Sequence, residues 1–202
     1  MSFATFNMKL MRRLLFLLAI AVAAASCDDK PEPRLHFVGD SLVEFWDVAS
    51  ICPSLHFVNH GRAGAGIAYL GEFGSTLTGE DVVLLLGTND LWQMLAYSPE
   101  EYAARYIDAV KSLGVATLYL YPVLPRDFTG DPEGSQEAIK SFNDEIRRRL
   151  DDFGCRVEYM DVYDRFRLGD AHLPNPELYP DGLHVNVYGY QILSDALWKR
   201  IF

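Results

Sequence analysis

Four short stretches of this chain carry side chains that can do chemistry together. They are Gly39-Asp40-Ser41, the glycine-rich run from Asn59 to Gly66, Gly87-Thr88-Asn89-Asp90 and Asp181-Gly182-Leu183-His184. A serine hydroxyl is a poor nucleophile until a base takes its proton. An imidazole, with a reference pKa of ~6.5, is the side chain suited to that task near neutral pH. An aspartate three residues before the histidine, with Gly182 allowing a bend between them, can bond the other ring nitrogen and fix its tautomer. A turn glycine offers a backbone N–H and an asparagine offers an amide, both suited to a developing oxyanion. Losing one such donor typically costs about 10²–10³ in rate. A hydroxyl, a base, an orienting acid and oxyanion donors are the parts of an acyl-transfer site.

Each residue also has a plainer reading. Ser41 is a favoured helix N-cap, and Asn89 suits a cap equally well. Gly61, Gly64 and Gly66 all suit turns, and Asp181 and His184 suit a surface loop. Asp40 and Asp90 read as braces for their turns. His36, His56, His60 and His172 lack the paired spacing of a metal motif, so no metal or cofactor is called for. Trp46, Trp92 and Tyr179 stand beside three of the motifs, as core residues or as the wall of a crevice.

The elements around these motifs decide between the readings. Leu35–Val38 reads as a first strand and Leu42–Ile51 as a helix, with Leu42, Phe45, Trp46 and Ala49 at helical spacing. Leu55–Asn59 is a second strand and Ile67–Phe73 a short helix. The apolar run Asp81–Leu86 suits a central strand buried on both faces. Ser98, Pro99 and Glu101 form a capping box with proline at the first helical position, and that helix ends at Gly114. Val115–Tyr121 is the fourth strand, 124–135 a polar loop, Gln136–Phe153 a long helix and Val157–Asp161 the fifth strand. Residues 164–183 read as an irregular loop, and Asn186 caps a final helix to Phe202 with Ile192, Leu193, Ala196, Leu197 and Ile201 as its buried stripe.

Strands alternating with helices imply βαβ units on a parallel sheet. The expected fold is an α/β, three-layer α/β/α sandwich with a flavodoxin-like five-stranded parallel sheet of order 2-1-3-4-5. Every motif then follows the carboxyl end of a strand, and strands 1 and 3 flank the switch point where open sheets place ligands. In this order Cys52 and Cys155 precede opposite edge strands, about 19 Å apart. A disulfide needs Cα atoms within about 7 Å, so both are expected to be free, buried thiols.

The four blocks, in this order from Gly39 to His184, resemble the GDSL, or SGNH, hydrolase family. The stretch Gly-Asp-Ser-Leu-Val-Glu is similar to its platelet-activating-factor-acetylhydrolase-like branch. The resemblance implies Ser41 as nucleophile, His184 as general base and Asp181 as its orienting acid. It implies an oxyanion hole made of the Ser41 N–H, the Gly64 N–H and the Asn89 amide; Gly64 is chosen because it lies five residues after Asn59, as in the family pattern. The implied activity is a serine esterase acting on short acyl esters, with O-acetyl groups on carbohydrate as the leading substrate. A lysophospholipase or broad acylhydrolase, an O-acyltransferase using the same triad, and a non-enzymatic glycan-binding lipoprotein are the alternatives. With no long insertion between strands 3 and 5, a large lid is not expected.

The bulk properties fit. The 202 residues suit one catalytic domain over 35–202, and half of them are apolar. The net charge is −10, and outside residues 1–26 there are 15 basic against 28 acidic side chains. That balance disfavours nucleic acid. Residues 1–26 read as a signal peptide, with Lys9, Arg12 and Arg13 before the 12-residue apolar run Leu14–Ala25; Met8 and Met11 are alternative initiators. Ala24-Ala25-Ser26-Cys27 resembles a bacterial lipobox, which implies a lipidated Cys27, a tether over 27–34 and a lipid-anchored protein of the cell envelope.

Overall fold

The computed structural model describes residues 35–169 and 172–202; the signal peptide, the Cys27 anchor and the tether expected over 1–34 lie outside the described residues. Five parallel strands form the sheet: β1 (Leu35–Gly39), β2 (Phe57–Gly61), β3 (Asp81–Leu85), β4 (Thr117–Leu120) and β5 (Arg156–Tyr159), in the expected order 2-1-3-4-5. Side-chain alternation along β3 splits its residues between two cores. Val82 and Leu84 face one side, against Tyr102, Tyr106 and Ile107 of α4 (Pro99–Lys111) and Ile139, Phe142 and Ile146 of α5 (Ser135–Arg148). Val83 and Leu85 face the other, against Leu42 and Val43 of α1 (Ser41–Glu44) and Leu193 and Leu197 of α7 (Val187–Ile201). Burying one such leucine is worth about 1.5–3 kcal/mol, so both faces of the sheet are anchored.

Several boundaries differ from those the sequence suggests. β2 starts and ends two residues later than expected, because its register against β1 pairs Leu35 with Phe57 and Gly39 with Gly61. That register brings the ends of both strands to one level, so their following turns meet. The single helix expected over Leu42–Ile51 is two, α1 and α2 (Val48–Ile51), since the Asp47 side chain caps the second by accepting from the Ser50 N–H. Two short elements, α3 (Leu91–Ala96) and the 3₁₀ turn Thr88–Asp90, follow β3. α5 gives way to a 3₁₀ turn, Leu150–Phe153, before Gly154. The region expected to be wholly irregular contains α6 (Tyr163–Phe166) and a small hairpin of β6 (Arg167–Leu168) and β7 (Leu173–Pro174). The Ser98–Glu101 capping box and the Asn186 cap form as expected. Cys52 and Cys155 are free, but half-buried rather than buried: Cys52 lies at the C-terminal end of α2 and Cys155 directly before the edge strand β5.

Candidate active site

The turn after β1 is set by packing. A Cβ at Gly39 would lie 2.1 Å from the Leu85 carbonyl oxygen and 2.4 Å from Val43 Cγ2, so only glycine lets α1 fold back onto the sheet here. Asp40, not Ser41, caps α1: its Oδ1 accepts from the Leu42 N–H at 2.9 Å. Ser41 is therefore the first helical residue, and its own N–H has no intrahelical acceptor. α1 has four residues, so it contributes this free N–H rather than a sizeable macrodipole. Asp40 is 1% exposed. Burial pushes its carboxyl up to about 7, against the pull of the Leu42 and Thr88 N–H groups; Oδ2 is buried without a full hydrogen bond.

The Ser41 hydroxyl lies 3.0 Å from His184 Nε2. His184 Nδ1 lies 2.7 Å from Asp181 Oδ2. With Nδ1–H donating to Asp181, Nε2 is left to accept the Ser41 O–H. Asp181 and His184 come from a loop held by its own turn chemistry: Asp181 Oδ1 accepts from the backbone N–H of Leu183 at 2.9 Å and of His184 at 2.7 Å. Burial pushes the Asp181 carboxyl up, but the His184 ring and these two N–H groups outweigh it and hold the group below the ordinary carboxylate range. Gly182 has φ +77°, and a Cβ there would lie 2.2 Å from the Asp127 carbonyl oxygen. The Asp127 N–H in turn donates to the Gly182 carbonyl at 2.8 Å. Two residues beyond His184, Asn186 caps α7 and fastens the loop from behind, donating through its amide to the Glu177 carbonyl.

The glycine run after β2 arrives beside Ser41. The Gly61 N–H is consumed by Asn59 Oδ1 at 2.7 Å, the Arg62 N–H by the Gly39 carbonyl, the Ala63 N–H by Glu44 Oε2 and the Ala65 N–H by the Arg62 carbonyl. Gly61 is thus removed as a donor. Among the described residues, the N–H groups of Gly64 and Gly66 have no protein acceptor. Gly64 alone of the three has a positive φ, +75°, with open space where its Cβ would stand. Asn89 is exposed, and its amide donates one N–H to the Ala65 carbonyl at 2.9 Å; an amide has a second to offer. Asp90 locks the two turns together. Its Oδ2 accepts from the Ile67 N–H at 2.7 Å, and its Oδ1 takes the space a Gly66 side chain would need. Burial pushes the Asp90 carboxyl up, with the Ile67 N–H pulling against it.

Asp40 and Asp90 thus brace the turns as read from the sequence. Trp46 and Tyr179 are core residues, 2% and 4% exposed, whereas Trp92 is 69% exposed, three residues beyond Asn89. The sequence reading missed three contributors. Phe45 is exposed, with its ring centroid 5.6 Å from that of His184. Arg126 is buried in the polar loop after β4, donating to the Thr88 carbonyl and paired with Asp131. Glu44 holds the glycine run. The Leu124-Pro125-Arg126 segment carries no periodic or charge pattern that marks a buried arginine.

The profile of the GDSL-like lipase/acylhydrolase family matches residues 37–192. The chain belongs to this family. It is accordingly a hydrolase, with esterase or acylhydrolase activity. Solved structures share the fold. A GDSL-like lipase from Bacteroides thetaiotaomicron superposes with a TM-score of 0.67 at 22% identity, over 91% of this chain and 94% of that one. An acetylxylan esterase from Geobacillus stearothermophilus gives 0.59 at 18%, over 84% and 94%. A lipase/acylhydrolase from Enterococcus faecalis gives 0.60 at 17%, over 84% and 95%. No curated protein is a significant match.

Proposed function

We propose that this hydrolase removes short acyl groups, O-acetyl on carbohydrate foremost, through an acyl-Ser41 intermediate. The observation that carries the reading is the continuous chain from Ser41 Oγ to His184 Nε2 at 3.0 Å and from His184 Nδ1 to Asp181 Oδ2 at 2.7 Å. In this mechanism Ser41 Oγ attacks the ester carbonyl as its proton passes to His184 Nε2. The imidazolium is stabilised by Asp181, which stays ionised. The carbonyl oxygen becomes the oxyanion and takes hydrogen bonds from the Ser41 N–H, the Gly64 N–H and the free N–H of the Asn89 amide. Collapse breaks the ester C–O bond, and the alcohol leaves with the proton from His184. A water, deprotonated by His184, then attacks the acyl carbon; the acid departs and Ser41 regains its proton. These roles need no metal or cofactor.

The carbohydrate preference draws on three features. The rings of Phe45 and Trp92 are exposed, one beside the base and one beyond the oxyanion amide; flat apolar faces suit the C–H face of a sugar ring. An acetylxylan esterase shares the fold. The leader and Cys27 also suit a protein exported and lipid-anchored at the cell envelope, where acylated glycans are met. The test is hydrolysis of p-nitrophenyl acetate, longer p-nitrophenyl esters and acetylated xylo-oligosaccharides by wild type and Ser41→Ala. Loss of all three activities in the variant, with acetyl favoured over octanoyl in wild type, is expected. Equal rates for the two proteins would refute the serine mechanism, and an octanoyl preference would refute the acetyl assignment.

A further inference from the structure

The free N–H of Gly64 serves catalysis only if it is held at a fixed place relative to Ser41. Those two residues belong to different elements, the turn after β2 and helix α1, and something must set their register. Three contacts join them. The Asn59 amide donates to the Val43 carbonyl at 2.9 Å. Gly61 sits directly on α1, with its missing Cβ position 2.1 Å from the Glu44 backbone nitrogen. The Glu44 carboxylate accepts the Ala63 N–H at 2.6 Å. The first two fix the end of β2. Only the third lies beyond Gly61, at the residue immediately before Gly64. On the far side, the Ala65 N–H is held by the Arg62 carbonyl at 3.0 Å. The peptide that carries the Gly64 N–H therefore spans two pinned points, one of them Glu44. Gly64 itself has a positive φ and nothing packed where a side chain would stand, so the direction of its N–H is set by its neighbours: Arg62 on the Gly39 carbonyl and Ala63 on Glu44 before it, and Ala65, whose carbonyl also accepts the Asn89 amide, after it.

We infer that Glu44 is a positioning residue for ester hydrolysis, acting through Ala63 to hold the Gly64 N–H in register with the Ser41 helix. This rests on the serine-hydrolase reading above. Glu44 is exposed on α1 and makes no contact with the reacting atoms. Its contribution is a short, charge-assisted hydrogen bond to backbone. A displacement of about 1 Å in a catalytic group can cost about 10²-fold in rate, so the expected effect falls on turnover rather than on substrate binding.

The experiment compares wild type, Glu44→Ala, Glu44→Gln and Ser41→Ala on p-nitrophenyl acetate. Melting temperature and affinity for an alkyl boronic acid, which forms a tetrahedral adduct with the nucleophile, are measured alongside. Glu44→Ala is expected to lower kcat by about 10–100-fold, with KM within about threefold, a near-native melting temperature and a matching loss of boronate affinity. Glu44→Gln keeps an acceptor for the Ala63 N–H and is expected to recover activity to within about threefold of wild type. Activity of Glu44→Ala within twofold of wild type would overturn the inference, as would a loss confined to KM. A Glu44→Gln variant as impaired as the alanine would overturn it too, by showing that charge and not the hydrogen bond matters. Ser41→Ala separates the two levels. If it is inactive while Glu44→Ala is unimpaired, the positioning role fails and the serine mechanism stands. If it keeps wild-type activity, the mechanism itself fails.

Discussion

The two halves of the site are built differently. Ser41, Gly64 and Asn89 stand on turns that leave the ends of three adjacent strands, β1, β2 and β3. Those turns are fixed by glycines whose side chains would strike neighbouring backbone and by buried carboxylates, Asp40 and Asp90, that accept backbone N–H groups. Asp181 and His184 come from a half-exposed loop, with side chains 42% and 31% exposed. That loop is held by a turn of Asp181 onto its own backbone, by Asp127 against Gly182 and by the Asn186 cap behind it. Ser41, Gly64 and Asn89 thus inherit their geometry from the sheet, whereas Asp181 and His184 inherit theirs from a few local hydrogen bonds. Substitutions at the buried or bracing residues of the sheet side should cost activity and stability together. Substitutions on the loop side should remove activity with little effect on the fold.

The largest expected effect breaks the loop side. Asp181→Asn keeps the shape but loses the charge that orients and stabilises the imidazolium, and kcat should fall by about 10⁴. Because Asp181 is partly exposed, its screened pairing with His184 adds little stability, so the melting temperature should stay near that of wild type; calorimetry alongside kinetics checks both. On the sheet side, Asn89→Ala removes one oxyanion donor and its brace to Ala65. A fall of about 10²–10³ in kcat is expected, this time with a measurable loss of stability. Gly182→Ala sharpens the contrast further. With φ +77° and the Asp127 carbonyl 2.2 Å from the new Cβ, it must displace the acid–base loop. Activity should fall by about 10–100-fold, with the amides of 181–184 exchanging faster while those of the sheet are unchanged.

The smallest effect concerns stability alone. A carboxyl held at about 7 in the folded protein, against about 3.9 unfolded, keeps its proton when folded over a range where the unfolded chain has released it. The folded state then binds more protons, so this group's contribution to stability falls as pH rises from about 4 to 7. Asp40→Asn keeps a favoured cap without that cost. The variant's gain in melting temperature over wild type should be near zero at pH 4 and several degrees at pH 8.

The sheet side was the more legible in the sequence, for a physical reason. Apolar runs that stop at Gly-Asp-Ser or Gly-Thr-Asn-Asp mark strand ends directly, and the βαβ rhythm then dictates which ends are neighbours. The contribution of Asp40 as cap was misassigned to Ser41 because both residue types are favoured there, and only the backbone bond to Leu42 separates them. The Asp181–His184 pair was recognisable by its spacing, but its supports were not. Arg126 and Asp127 act through tertiary contacts, and the hairpin of β6 and β7 has two-residue strands too short to leave an alternation. Glu44 stood in plain view beside the serine. Its partner is a backbone N–H 19 residues away, which no local pattern encodes.

The proposed mechanism has Ser41, activated by His184, form the covalent intermediate. Titration with a fluorophosphonate, followed by intact mass and peptide mapping, tests it most directly. One adduct per chain is expected, on Ser41, forming much more slowly in His184→Ala and absent in Ser41→Ala together with all hydrolysis. An adduct on another residue, or hydrolysis that survives Ser41→Ala, would contradict it.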